Sequence, residues 1–135
     1  MKPVVNTLFL IDDDEIYLFT MKKLIEKNEL ANNVHEFHNG FDAIEFLNKV
    51  ATNNHVLLPD MIFLDINMPV MDGWTFMDVF SLLKPKLNKK IQVYMISSSV
   101  NKPDIEKAKK ITDISDFIVK PIGPKQLKNI LKTAA

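Results

Sequence analysis

Asp12, Asp13 and Asp14 stand in a row, Asp65 stands apart, Ser97, Ser98 and Ser99 form a hydroxyl run, and Lys120 precedes Pro121. Each group follows directly on a short apolar run, at residues 7–11, 61–64, 91–96 and 117–119 in turn. Brought together, they would make a definite chemistry. Carboxylates packed close repel one another and raise each other's pKa. A hard divalent cation with oxygen ligands removes that penalty, and Mg²⁺ is typically held by one or two carboxylates, with water and phosphate oxygens filling the rest of its shell. A carboxylate beside Mg²⁺ and an ammonium can attack phosphorus and form an acyl phosphate. The charge that spreads over the equatorial oxygens would meet the cation, Lys120 and the Ser97 hydroxyl.

Taken singly, each residue has a plainer reading. Asp14 suits the N-cap of a helix, Asp65 a loop acid, Lys120 a surface lysine, and Ser97 to Ser99 a turn. The four groups argue for a site together, because each stands at the end of an apolar run and charge clusters of this kind mark functional sites.

The elements that must position them can be read from periodicity. The four apolar runs are short, continuous and nearly free of charge, as strands covered on both faces should be. A fifth candidate at residues 34–37 is more polar and suits an exposed edge. Between them, Tyr17, Met21, Leu24 and Ile25 recur at helical spacing, as do Ala43, Leu47 and Val50, then Phe76, Val79, Phe80 and Leu83, and finally Leu127, Ile130 and Leu131. Ile105, Ala108 and Ile111 give a narrower stripe among lysines, with Pro103 placed for a first helical turn. Residues 48–58 form a long approach to the third strand. Five strand–helix units in strict alternation predict an α/β fold, a doubly wound parallel sheet with helices on both faces. Ligands of such sheets gather outside the carboxyl ends of the central strands, where all four polar groups stand.

Composition excludes several other classes. The 135 residues suffice for one core, and the expectation is a single domain over 1–135 with its core at about 7–133 and no output domain. There is no cysteine, hence no disulfide framework, thiolate nucleophile or Cys-built zinc site. The 17 basic residues, all lysine, balance 17 acidic ones. Without Arg or a net positive field, nucleic-acid binding is not expected. No signal peptide or membrane-spanning run is visible, and a cytoplasmic location is expected.

These residues resemble the receiver-domain family of two-component signalling. The resemblance runs from about Leu8 to Leu131. It rests on Phe9-Leu10-Ile11-Asp12-Asp13, Leu64-Asp65-Ile66-Asn67-Met68-Pro69 with Met71-Asp72-Gly73, Ile96-Ser97-Ser98, and Phe117-Ile118-Val119-Lys120-Pro121. It implies a flavodoxin-like five-stranded sheet in the order 2-1-3-4-5. It also implies that Asp65 is the phosphoacceptor. Mg²⁺ would be bound by the carboxylates of Asp13 and Asp65 and the backbone carbonyl of Asn67, with Asp12 acting through water on the ion. Lys120 would pair with Asp65 or a phosphate oxygen. Ser97 and Phe117 would form the switch, and Asn67 and Ser99 would tune dephosphorylation. The Lys120–Pro121 peptide would be cis. Pro69 would fix the loop leaving the site, and Gly73 would open the third helix at a sharp backbone turn. Ser98 departs from the small apolar residue usual after the switch hydroxyl, and the lysine-rich fourth helix makes the output surface atypical.

The function so implied is a phosphoacceptor that signals through a phosphorylation-dependent protein-binding face. The expected partners are a sensor histidine kinase or histidine phosphotransfer protein and a downstream protein target. No enzymatic turnover is expected beyond self-catalysed phosphorylation and slow autodephosphorylation. The protein would be a monomer, or a weak homodimer through the face of the fourth helix, fifth strand and fifth helix. The alternative is a pseudo-receiver that docks independently of phosphorylation, although no acid and no lysine of the set is missing. A Mg²⁺-dependent phosphohydrolase is disfavoured by Asn67, which stands where a second acid would be needed. A flavin or nucleotide domain is disfavoured by acids where a phosphate loop would stand.

Overall fold

The computed structural model describes residues 5–99 and 101–132. Eleven elements follow in order: β1 (Val5–Ile11), α1 (Glu15–Lys27), β2 (Ala31–Phe37), α2 (Gly40–Asn53), a 3-10 turn (His55–Leu57), β3 (Met61–Asp65), α3 (Gly73–Leu87), β4 (Gln92–Ser97), α4 (Lys102–Lys110), β5 (Ile114–Val119) and α5 (Pro124–Lys132). The strands form one parallel sheet in the order β2-β1-β3-β4-β5. This is the flavodoxin-like arrangement expected from the sequence. The order reverses between β1 and β3, so a crevice opens at their carboxyl ends.

Alternation along the strands divides the core in two. Phe9, Ile11, Ile62, Leu64, Val93 and Met95 face α2 and α3, together with Ala43, Leu47, Phe76 and Phe80. Leu8, Leu10, Met61, Phe63, Tyr94 and Ile96 face α1 and α5, with Leu18, Met21, Ile25, Leu127 and Leu131. Each fully buried side chain of this size removes apolar surface worth about 1.5–3 kcal/mol. A one-residue slip of any central strand would exchange its two faces, which fixes the register.

Several boundaries differ from the sequence reading, each for a local reason. The edge strand β2 starts at Ala31, because its backbone pairs with β1 from Val5↔Ala31 onward whatever its polar side chains prefer. The fifth strand begins at Ile114 and carries a register shift against Val93 and Tyr94, which hides its alternation. The long approach of residues 48–58 is filled by structure: α2 runs on to Asn53, and Asn54 then caps the 3-10 turn through Val56 N. In α3, Pro85 lies in the last turns and the helix ends at Asn88, in the left-handed region at φ 48°. The α4 stripe is as narrow as expected, with only Ala108 buried within the helix.

Candidate functional site

Local chemistry brings β1 to a stop at the acids. Asp14 caps α1, its Oδ1 accepting from Ile16 N (3.0 Å) and Tyr17 N (3.1 Å). Asp12 Oδ1 accepts from Asp14 N at 2.9 Å, which closes the turn and holds Asp12 inward, 1% exposed. Asp13 points to solvent. Thus the three consecutive acids have three environments.

Asp65 is the last residue of β3 and is 9% exposed, its Oδ1 accepting from Ile66 N at 3.0 Å. The loop behind it folds back, with Gly73 N donating to Ile66 O at 2.7 Å. A Cβ on Gly73 would stand 2.4 Å from the carbonyl oxygen of Asp65. No glycine of the described residues has a positive φ. The reason for glycine at 73 is therefore close backbone approach, not the sharp turn that the sequence suggested. Within this loop the residue in the left-handed region is Val70, at φ 67°, inside a three-residue turn closed by Met71 N and Pro69 O at 2.7 Å.

Lys120 is delivered from the other side. Its N–H donates to Ser97 O at 2.8 Å, and the Lys120–Pro121 peptide is cis, as the resemblance implied. Its Nζ lies 2.7 Å from Asp12 Oδ2 and 4.0 Å from Asp65 Oδ1. The expected Lys120–Asp65 pair is thus the longer of two contacts. The ammonium also sits over the Tyr17 ring, 4.2 Å from its centroid. In the sequence Tyr17 is only one position of a helical stripe. Its offset from Asp12, one turn into α1, was the available signal, but which ring atoms meet which cation is not a matter of spacing.

Carboxylate oxygens of Asp12, Asp13 and Asp65 all lie within 4.8 Å of one another. Burial, then the Asp12 charge, push the Asp65 carboxyl up to about 7, while Lys120 and the Ile66 N–H pull it back only in part. Asp12 Oδ2 is shut away from solvent and receives no directed hydrogen bond; the charge of Lys120 compensates it. A crowded, all-oxygen donor set with an under-satisfied buried carboxylate fits a hard divalent cation such as Mg²⁺.

The remaining expected residues lie on β4 and the residues after it, on the β3–α3 loop and on β5. Ser97 is buried at the end of β4, its Oγ accepting from Ser99 N at 3.2 Å and lying 3.4 Å from Ser99 Oγ. Asn67 is exposed on the loop two residues past Asp65, and Ser98 and Ser99 are exposed too. Phe117 is half-buried and packs on the α2–α3 side of the core. It lines a cavity of about 380 Å³ between α4 and β5, with Ile105, Ala108, Ile114 and Val119. Among the described residues, no helix is long and apolar enough to cross a membrane.

Known proteins share this fold. The sequence matches the response regulator receiver domain family over residues 8–132. It is 32% identical over 126 residues to the chemotaxis protein CheY of Listeria monocytogenes, covering 93% of this chain and 96% of that protein. The structure of a two component response regulator from Cytophaga hutchinsonii superimposes with a TM-score of 0.86 at 28% identity, covering 99% of this chain and 98% of that one. The phosphorylated cyanobacterial phytochrome response regulator RcpA superimposes with a TM-score of 0.74 at 25% identity, covering 95% and 89% of the two chains. The chain is also similar to a protein-glutamate methylesterase/protein-glutamine glutaminase of Methanococcoides burtonii, at 28% identity over 128 residues, but it spans only 33% of that protein's length. With the match running from within β1 to the last residue of α5, the chain belongs to the response regulator receiver domain family.

Proposed function

We propose that this chain is a phosphoacceptor in a two-component pathway and that Asp65 takes the phosphoryl group. The observation that carries the reading is the meeting of Asp12, Asp13 and Asp65 within 4.8 Å, with the Lys120 ammonium beside them. Asp13 and Asp65, with the Asn67 carbonyl, would hold Mg²⁺, which when bound offsets the charge of the carboxylates and of the phosphoryl oxygens. RcpA, at 25% identity, is phosphorylated in its structure, which supports the same chemistry here.

In the mechanism, the Asp65 oxygen not engaged by Ile66 N attacks phosphorus in line. A P–O bond forms as the P–N bond to the donor imidazole breaks, and that ring leaves neutral once protonated. Asp12, 2.7 Å from the ammonium, keeps Lys120 in place. The ammonium, already 4.0 Å from Asp65, turns toward the incoming phosphoryl oxygens. The Ser97 hydroxyl releases Ser99 N and donates to the same group. Asn67 and Ser99, both exposed, tune the lifetime of the phosphate. Movement of Ser97 biases Phe117 and the α4–β5 groove, which becomes the face read by a downstream protein. The donor is a histidine kinase or a histidine phosphotransfer protein, and the chain acts as a signalling module without turnover of an outside substrate.

Acetyl phosphate with Mg²⁺ tests the reading by intact mass. The wild type should gain one labile, hydroxylamine-sensitive phosphoryl group, and Asp65→Asn should gain none. Labelling of the variant equal to wild type rejects the assignment.

A further inference from the structure

We propose that Tyr17 is a positioning residue of the phosphoacceptor site, its ring forming the seat that keeps the Lys120 ammonium over the acid cluster. This rests on the reading of Asp65 as phosphoacceptor. A lysine has a long, flexible stem and three rotatable donors on a point charge, so something must confine it if it is to face a particular oxygen. Asp12 Oδ2 supplies one contact at 2.7 Å. Asp65, at 4.0 Å, is beyond hydrogen-bonding distance. The Tyr17 ring supplies the other close wall, with Nζ 4.2 Å from its centroid, well inside the range of a cation–π contact.

The seat is itself anchored. Tyr17 lies in the first turn of α1, where its backbone N–H donates to the Asp14 cap at 3.1 Å. Leu18 and Met21 of the same helix are locked in the core against β1 and α5. The ring therefore cannot drift from the strand end that carries Asp12. Its hydroxyl is shut off from solvent and finds no hydrogen-bond partner among the described residues. A buried hydroxyl in that state is a cost to the fold, and the contact with Lys120 is made by the ring. Burial, with the charges of Asp12 and Asp65, also holds the phenol far above its usual pKa, so the ring remains a neutral platform and does not pair with the lysine as an anion.

The geometry separates the ring from the hydroxyl, and the test does the same. Tyr17→Phe keeps the platform; Tyr17→Leu and Tyr17→Met remove it while filling apolar space. The first readout is the ring-current shift of the Lys120 side-chain methylene protons, measured by NMR in unphosphorylated, metal-free protein. The second is the maximal rate of Asp65 phosphorylation by acetyl phosphate with saturating Mg²⁺, with circular dichroism to confirm the fold. The Phe variant should keep the upfield shift and the rate. The Leu and Met variants should lose the shift and slow the maximal rate roughly five-fold, the order expected of one partly solvated cation–π contact, with little change in half-saturating acetyl phosphate. Folded Leu and Met variants that phosphorylate at the wild-type rate would overturn the proposal and leave the phosphoacceptor reading standing. So would a Phe variant as slow as they are. A wild type that takes no label overturns the phosphoacceptor reading, and this proposal with it.

Discussion

Lys120 leans on Asp12, its Nζ 2.7 Å from Oδ2, with both side chains almost wholly shielded from water. The pair is what makes the buried Asp12 carboxyl tolerable beside Asp65. Removing one partner of a buried pair leaves an uncompensated charge. Lys120→Met should therefore lower stability by about 3–5 kcal/mol, read as a drop in the denaturation midpoint. Adding Asp12→Asn should recover part of that loss. A double variant less stable than Lys120→Met alone would show that the pair is not the cause.

Asp65 gives a pH dependence whose sign can be stated. Its carboxyl is raised from 3.8 to about 7 by burial and by Asp12. Between these values the native state binds a proton that the unfolded chain has released. Metal-free protein should thus lose stability as pH rises from about 4 to about 7, by on the order of 2–4 kcal/mol. Asp65→Asn should flatten that slope and be more stable than wild type above neutrality. Mg²⁺ should stabilise the wild type most at that end of the range. Denaturation midpoints across pH, with chelator and with Mg²⁺, check this; a wild-type slope that Asp65→Asn leaves unchanged would remove Asp65 as its source.

Gly73 should accept no side chain. Its Cβ would meet the Asp65 carbonyl oxygen at 2.4 Å, and backbone atoms cannot swing away. Gly73→Ala should cost about 2 kcal/mol or more and slow phosphorylation, because relief requires moving the strand end that carries Asp65. Unfolding by denaturant and the acetyl phosphate rate together test this. A variant with unchanged values for both would mean that the loop is free to retreat.

Val70 presents the opposite case. It is β-branched, sits at φ 67°, and is 81% exposed, so it contributes little burial in return for its strain. Val70→Asn should stabilise the protein by about 1 kcal/mol while leaving the labelling of Asp65 intact. Val70→Gly should gain less, because glycine also loosens the unfolded chain. Thermal midpoints of the two variants, ranked against wild type, decide between strain and some hidden contact of the valine.

By itself the sequence determined the strands, their parallel sheet and the convergence of Asp12, Asp13, Asp65 and Lys120. The reason is physical: strands covered on both faces must be continuous apolar runs, so the first polar residue marks where each one leaves the sheet. The Asp14 cap was equally visible, since capping is a contact between near neighbours in the chain. Tertiary structure alone decided that Lys120 leans on Asp12 before Asp65, that Tyr17 lies under it, and that Gly73 is needed for space. Each of these is a contact between side chains or backbone on separate elements, fixed by how α1, β5 and the β3–α3 loop pack together. The same holds for the early start of β5, where a register shift against β4 breaks the alternation that a sequence reader depends on.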